Sequence, residues 1–246
     1  MVSLPRGNII FAAIVKNIAT NYKTLYVMGC FGAPLTAAAK KRYIAAQSYN
    51  QSSARRAKIN AASADTFGFD CVCLIKGTLW GWNGSLDHQY GGATYASNGV
   101  PDIGADAMIS KCKGVTTDFK NIEIGEAVWM SGHIGIYIGG GLAVECTPAW
   151  KDKVQITAVG NIGKKAGYNT RTWTKHGKLP YITYNPLGDI DGDGVVSAAD
   201  ARLALRASVK LFKPTAAQIL AGDLNGDGQI TADDARLILR KTVGLK

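Results

Sequence analysis

A glycine-rich stretch at residues 125–147 decides the fold class of the N-terminal part of the chain. It reads GEAVWMSGHIGIYIGGGLAVECT. Short runs rich in branched and aromatic residues, at 127–130, 133–138 and 142–147, predict β-strands. The three glycines at 139–141 predict the hairpin turn between the last two strands. This stretch therefore predicts antiparallel β-structure.

The residues before this stretch have a helical pattern. Helices are predicted at 7–22 and 34–49, and a further one from Asp70 to Trp80. The first of these follows Arg6 and contains an apolar run that resembles a secretory signal, but no small-residue cleavage site follows it, so a degenerate signal is only the alternative. Helices followed by antiparallel strands indicate an α+β domain.

The composition is that of a folded protein with a basic N-terminal part. With 47% hydrophobic and 19% charged residues, the 246-residue chain is not of the disordered, collagen-like or polytopic membrane class. The formal net charge is +10, and residues 186–246 contain eight basic and eight acidic side chains, so the whole excess lies in residues 1–185. An anionic partner is expected. Because no basic, aromatic-rich motif accompanies the charge, nucleic acid is the least favoured partner, and no membrane partner is expected.

The C-terminal part contains two copies of a calcium-loop pattern. Residues 188–206 read GDIDGDGVVSAADARLALR, and residues 222–240 read GDLNGDGQITADDARLILR. In the spacing D-x-[DN]-x-D-G, alternate oxygen atoms surround a hard cation and a carboxylate at the twelfth position closes the shell. Each copy therefore predicts one Ca²⁺ site and a following amphipathic helix. The predicted ligands are Asp189, Asp191, Asp193, Val195, Ser197 and Asp200 in the first copy, and Asp223, Asn225, Asp227, Gln229, Thr231 and Asp234 in the second.

Paired loop–helix repeats that lack an entering helix and close with Asp resemble a type I dockerin, over residues 187–245. The resemblance implies a small all-α module folded by two structural Ca²⁺ ions, which binds a cohesin module of a cellulosome-type scaffold protein. It also implies a secreted or extracellular protein associated with a scaffold or the cell wall. The family's recognition positions fall on Ala198, Ala199, Ala232 and Asp233, and docking is expected through helix faces with Leu203, Arg206, Leu237 and Arg240.

A Pro-Leu-Gly linker at residues 186–188 separates the two parts of the chain. The predicted domains are residues 1–184 and residues 185–246.

Two cysteines lie at the start of a predicted helix, and the chain has an odd number of cysteines, five, so at least one thiol is unpaired. Cys71 follows Asp70 at the apparent helix start, where exposed N–H groups and the helix dipole lower a thiol's pKa. Cys71 is therefore the predicted nucleophile. Cys73 lies about 200° further around the helix and is expected to face the core. The alternatives are that both cysteines are packed hydrophobes or, on weaker grounds, zinc ligands.

A histidine and a glutamate are predicted to meet on adjacent strands. His133 begins one strand of the hairpin and Glu145 lies on the other, and with a three-residue loop, positions of equal parity share a face. Glu145 can then orient His133 as a general base. His88 and His176 are the alternative bases, and a surface histidine with a solvated glutamate is the alternative without chemistry.

Phe-Asp-Cys71 before an apolar helix, Gly-His133-Ile-Gly-Ile-Tyr-Ile-Gly, and a polar residue twelve after the histidine resemble the NlpC-like cell-wall cysteine peptidases. The likeness covers residues 8–184. It implies a circularly permuted papain-like fold, with Cys71 as nucleophile, His133 as base and Glu145 in the third polar position. Tyr26 matches a hydroxyl that either lies on the substrate side or stabilises the oxyanion. The chain differs from the usual family pattern in having Val72-Cys73 in place of Ser-Gly, and Glu in place of His, Asn or Gln.

The predicted function is hydrolysis of peptidoglycan stem peptides by a dockerin-bearing cysteine endopeptidase. The alternatives are an N-acetylmuramoyl-alanine amidase, a protein-directed cysteine peptidase, and a non-catalytic wall-binding module. Trp80, Trp82 and Trp150 are expected either to be exposed for stacking on sugar or to lie in the core.

Overall fold

The computed structural model describes residues 7–245, so Arg6 and the first five residues of the predicted N-terminal domain lie outside the described residues. The helices are α1 Asn8–Asn21, α2 Ala37–Ala46, α3 Ser48–Gln51, α4 Ser53–Ala61, α5 Cys71–Leu79, α6 Ala105–Lys111, α7 Ala198–Ser208, α8 Ala216–Gly222 and α9 Ala232–Thr242. The strands are β1 Thr24–Tyr26, β2 Phe31–Pro34, β3 Phe67–Phe69, β4 Lys113–Thr116, β5 Ala127–Met130, β6 His133–Gly139, β7 Leu142–Thr147, β8 Lys153–Val159, β9 Thr170–Arg171 and β10 Lys175–Lys178.

The helices form close to where the apolar pattern predicts them. The predicted helix at 7–22 is α1. The predicted helix at 34–49 is interrupted, because Gln47 has extended dihedral angles and separates α2 from α3. The N-terminus of α5 is capped by Asp70, whose carboxylate accepts a hydrogen bond from the Cys73 N–H at 2.7 Å. This cap fixes the position at which the helix begins, one residue before Val72.

The three predicted strands are β5, β6 and β7, and they lie in a seven-stranded sheet of order β4-β10-β5-β6-β7-β8-β9. The strands β5 to β8 are antiparallel neighbours. A smaller sheet of order β1-β3-β2 lies within the part predicted to be helical. The prediction that helices come first and strands follow is therefore wrong in this detail. The sequence pattern does not show these strands, because they have only three or four residues and no alternation of polar and apolar residues. The α+β class itself is confirmed.

The main core lies between the large sheet and two helices. Ile134, Ile136 and Val144 of the sheet pack with Phe11 of α1 and Leu74 of α5. A small separate core in the C-terminal part contains Ile190, Ala204 and Ile238, among other residues, where α7 packs against α9. This arrangement places the start of α5 against the start of β6.

Helix α8 of the C-terminal part packs against α1 of the N-terminal part. Leu220 and Ala221 of α8 belong to the main core. Across the predicted boundary, the Asn185 N–H donates to the Asn8 side-chain oxygen at 3.0 Å. The two parts are therefore in direct apolar and polar contact, while the division at residues 184 and 185 stays a prediction.

Candidate functional site

The start of α5 is fastened to the preceding loop by Asp70. One oxygen of its carboxylate caps the helix, and the other accepts a hydrogen bond from the Gly29 N–H at 2.7 Å. Cys71 follows as the first residue of the helix and is 8% exposed. The thiol therefore lies just below the surface, in a backbone held from two sides.

The environment of Cys71 raises its pKa, contrary to the expectation from its place at a helix start. Burial and the nearby Asp70 carboxylate raise the pKa of this thiol to about 12. The backbone amides of Ile134, Val72 and Cys71 itself act in the opposite direction. The expected lowering of the thiol pKa is wrong for the free protein, because loss of solvation outweighs the N–H groups of the helix start.

Cys71 lies beside the first residues of β6. The backbone amide of Ile134, the residue after His133, faces the Cys71 sulfur. Tyr26 lies in the same cluster: it is 6% exposed, and burial together with the charges of Asp70 and Cys71 raises its pKa. The structure thus brings the predicted nucleophile, the strand that carries the predicted base, and the Tyr26 hydroxyl into one region.

His133 and Glu145 are joined by a hydrogen bond. Gly135 is the cross-strand partner of Glu145, so His133 lies diagonally opposite Glu145 on the same face of the sheet. The His133 Nε2 is 2.7 Å from a Glu145 carboxylate oxygen. Because Nε2 contacts the carboxylate, Nδ1 is the ring nitrogen that can exchange a proton. This is the pairing that the parity of the hairpin predicts.

Glu145 has no exposed surface and accepts several hydrogen bonds. The Thr157 hydroxyl donates to one oxygen at 2.7 Å, and the Arg171 Nε lies 2.9 and 2.7 Å from the two oxygens. Burial opposes ionisation of this carboxyl, but the hydrogen bonds and charges of His133 and Arg171 outweigh it and lower its pKa. Glu145 is therefore an ionised group in a fully buried position.

Arg171 is a site residue that the sequence analysis missed. It lies 26 residues after Glu145, on the two-residue strand β9. Its guanidinium stacks over Trp150, 4.8 Å from the ring centroid, and Trp150 itself is 47% exposed. Neither a periodic pattern nor a motif marks this arginine, so only the folded sheet shows its contact with Glu145.

The other two histidines have different partners. His176 is 3% exposed; its Nδ1 pairs with the Glu126 carboxylate, and its Nε2 is 3.0 Å from the Asp118 carbonyl oxygen. His88 is exposed, with Nδ1 2.7 Å from the Ser85 hydroxyl. Both nitrogens of His176 are thus engaged in the fold, and His88 lies in the loop that follows α5.

Cys73 and two of the tryptophans belong to the core. Cys73 is 4% exposed, and burial raises its pKa well above the usual value. The Trp80 Nε1 donates to the Val100 carbonyl and the Trp82 Nε1 to the Gly32 carbonyl, both at 2.9 Å. Of the two expectations for the tryptophans, stacking on sugar is wrong for Trp80 and Trp82, because α5 and the small sheet enclose them. Only Trp150 is exposed enough for that role.

The two C-terminal loops make matching sets of hydrogen bonds. The Asp189 carboxylate accepts from the N–H groups of residues 192 and 194, and Asp223 accepts from those of residues 226 and 228. The fully buried Asp200 accepts from the backbone at residues 190, 191 and 197, and Asp234 at the equivalent residues 224, 225 and 231. The twelfth-position carboxylates thus connect the two ends of each loop.

The first loop gathers oxygen atoms as a hard cation requires. Carboxylate oxygens of Asp189, Asp191 and Asp193 lie within 4.8 Å of one another. An all-oxygen donor set of three carboxylates fits Ca²⁺, which takes six to eight oxygen ligands. The remaining predicted ligands lie in the same two loops: Val195, Ser197 and Asp200 in the first, and Asn225, Asp227, Gln229, Thr231 and Asp234 in the second.

Comparison with known proteins identifies the C-terminal part of the chain. No curated protein and no solved structure matches the chain. Within residues 7–245, none of the helices combines the length and the apolar character needed to cross a bilayer. Residues 187–242 match the family model of the dockerin type I domain. This part is therefore a dockerin type I domain, which implies a cohesin partner, cellulosome-type tethering and an extracellular location.

Proposed function

We propose that residues 8–184 are a papain-like cysteine peptidase domain of the NlpC-like family, which hydrolyses peptidoglycan stem peptides while the dockerin holds it on a scaffold. The observation that carries this proposal is the hydrogen bond of 2.7 Å between His133 Nε2 and Glu145 at the start of β6, where the following amide faces the Cys71 sulfur. A thiol, an imidazole and a group that orients the imidazole are the parts that thiol catalysis needs.

The chemistry follows from these positions. His133 Nδ1 takes the proton of the Cys71 thiol as the sulfur attacks the amide carbonyl carbon of the substrate. We assign stabilisation of the oxyanion to the backbone N–H of Cys71 and the Tyr26 hydroxyl. His133 then gives its proton to the leaving amine, and the C–N bond breaks to leave a thioester. Water, deprotonated by His133, hydrolyses the thioester and restores the thiol.

The raised pKa of Cys71 defines the resting state in this scheme. With a pKa of about 12, the thiol is protonated at neutral pH in the free protein. Proton transfer to His133 therefore accompanies attack on the substrate, and bound substrate that excludes water would favour it.

The direct test is mass spectrometry of products from purified peptidoglycan incubated with the calcium-loaded protein. We expect stem-peptide fragments from the wild type and none from Cys71→Ala. Cys73→Ala is the matched control: it removes a second sulfur from the same helix and should leave the fragments unchanged. Fragments that persist in Cys71→Ala would contradict Cys71 as nucleophile, and the cleaved bond separates an endopeptidase from an amidase.

A non-catalytic wall-binding module is the second candidate, and the burial of Cys71 favours it. A catalytic thiol is usually more accessible than 8%. Alkylation of the native protein near neutral pH distinguishes the two: a catalytic Cys71 is modified faster than Cys73, whereas equal slow rates for both thiols support the binding module. Peptide mapping by mass spectrometry assigns the modified cysteine.

The finer part of the dockerin proposal is that two Ca²⁺ ions fold this module. We expect chelation to abolish cohesin binding, because ligand carboxylates left without a cation repel one another. Asp200→Ala and Asp234→Ala should each weaken binding and lower the calcium stoichiometry by one ion in calorimetry. Asp233→Ala is the control for the calcium stoichiometry only: Asp233 lies beside a ligand position and is not a predicted ligand, so two ions should still bind. Its cohesin binding is not used as a control, because Asp233 is also a recognition position. Full cohesin binding in the presence of chelator would contradict calcium-dependent folding.

A further inference from the structure

Four side chains form a continuous stack beside the candidate site. The His133 ring lies parallel to Trp173, with ring centroids 5.5 Å apart and an angle of 8° between the planes. The Arg171 guanidinium lies 5.6 Å from the Trp173 centroid and 4.8 Å from the Trp150 centroid. Two indole rings therefore hold the guanidinium in place, and one of them also supports the histidine ring.

The same guanidinium forms an ion pair with the carboxylate that contacts His133. The Arg171 Nε lies within 3 Å of both Glu145 oxygens, at 2.9 and 2.7 Å, and His133 Nε2 contacts one of them. The Arg171 side chain is 16% exposed and the Glu145 side chain 0%. A buried carboxylate and a nearly buried guanidinium at this distance form a unit without net charge.

This charge balance has a consequence for the histidine. A neutral side chain at the position of Glu145 would orient His133 without adding charge. A lone buried carboxylate there would instead favour the charged imidazolium over the neutral ring that a general base needs. A cation on the far side of the carboxylate offsets this effect while the hydrogen bond to Nε2 is retained.

We propose that Arg171 is a positioning residue, which balances the charge of Glu145 so that the pair orients His133 as a neutral third residue would. The consequence for hydrolysis rests on the proposed peptidase function. The electrostatic effect on His133 does not depend on it and can be measured in the protein without substrate.

Other charged groups near the pair stay constant in the test. The Asp106 carboxylate accepts a hydrogen bond of 2.9 Å from the Gly132 N–H, directly before His133. The Lys175 ammonium lies 4.5 Å from the centroid of the Trp129 ring on β5. Besides Arg171 on β9, the titratable or charged groups on neighbouring elements include Cys71 on α5, Tyr26 on β1, Asp106 on α6 and Lys175 on β10.

The test is a double-mutant cycle read by NMR titration of the His133 ring in the full, calcium-loaded chain, with the signal assigned by its loss in His133→Gln. Arg171→Gln should raise the titration midpoint of His133 by about one pH unit or more, because the carboxylate is left unbalanced. Glu145→Gln should lower the midpoint, because the guanidinium is then the unbalanced charge. The double variant should return it close to the wild-type value, and Arg171→Lys should change it least.

The sign reversal is the result that a merely structural role for Arg171 would not produce. Single-variant midpoints that stay at the wild-type value, or that move in the same direction, would overturn the proposal. If Arg171→Gln does not fold, Glu145→Gln and the double variant decide, since restoration by the second substitution is the same test. If the wild-type protein hydrolyses peptidoglycan, the acidic limb of the pH–rate profile should lie at higher pH in Arg171→Gln than in the wild type. Absence of hydrolysis in the wild type would reject the peptidase function and leave the titration result valid.

Discussion

Two histidine–carboxylate pairs of the described residues lie in or directly beside the large sheet, and they differ in what else contacts each partner. In the His133–Glu145 pair, the carboxylate also accepts from Arg171, and within residues 7–245 the histidine forms a hydrogen bond only through Nε2. In the His176–Glu126 pair, the histidine uses both ring nitrogens. A histidine held through one nitrogen can exchange a proton at the other, whereas His176, held through both, ties β10 to the segments that contain Asp118 and Glu126.

The two carboxylates also differ in the sign of their pKa shifts. Burial raises the pKa of Glu126, and its hydrogen bond with His176 only partly offsets this. For Glu145, burial is outweighed by His133 and Arg171, and the pKa is lowered. Burial alone therefore does not set the charge of a carboxyl group, and a neighbouring guanidinium reverses the outcome.

The largest expected difference between the two pairs is in the rate of hydrolysis. His133→Ala should reduce the rate of stem-peptide release by about 10²–10⁴-fold, the usual contribution of a general base. His176→Ala, assayed at a temperature where it is folded, should retain the wild-type rate within a few fold. Comparable losses of rate in both variants, measured as product per mole of folded protein, would contradict the distinction between the two pairs.

The next largest expected difference is in stability, where the loss of His176 costs more than the loss of His133. His176→Ala should lower the free energy of unfolding by about 3 kcal/mol, because Glu126 is left buried without its donor. His133→Ala should cost only about 1 kcal/mol, because Arg171 and Thr157 still donate to Glu145. Urea unfolding of both variants checks this order, and an equal cost would show that the two pairs do the same structural work.

The smallest expected difference between the two pairs is in the pH dependence of stability. Glu145 has a lowered folded-state pKa, so its stabilising contribution is present above the ordinary value of 4.5 and is lost as pH falls. Glu126 has a raised folded-state pKa, so its contribution is present below 4.5 and is lost as pH rises. As pH rises, the melting temperature relative to wild type should therefore fall for Glu145→Gln, mainly on the acidic side of 4.5, and rise for Glu126→Gln, mainly on the alkaline side of 4.5. Slopes of the same sign in the two variants would contradict the opposite pKa shifts.

Local patterns predicted much of the candidate site. The contact between His133 and Glu145 follows from alternation along two strands and from the length of one turn, which are properties of neighbouring residues. The start of α5 after Asp70 follows from a short motif in the same way, and the structure adds that Asp70 caps this helix. The resemblance of the repeated loops to a type I dockerin is confirmed by the family model.

The features that could not be predicted depend on contacts between distant segments. Arg171 reaches Glu145 only because β9 pairs with β8 at the edge of the large sheet, and a two-residue strand has no periodicity to detect. The burial that raises the pKa of Cys71 comes from the packing of α5 against the sheet, which competes with the helix start that the sequence shows. Trp80 and Trp82 are buried for the same reason, since their surroundings come from other segments.

The contact of α8 with the main core limits how the N-terminal part of the chain can be oriented on a scaffold. Because Leu220 and Ala221 are part of that core, the dockerin has little freedom to rotate about the short linker. A cohesin that binds this dockerin would set the direction in which the rest of the chain points from the scaffold. The distance that the N-terminal part can reach toward a wall polymer would then depend on the flexibility of the scaffold, with little contribution from the linker at residues 186–188.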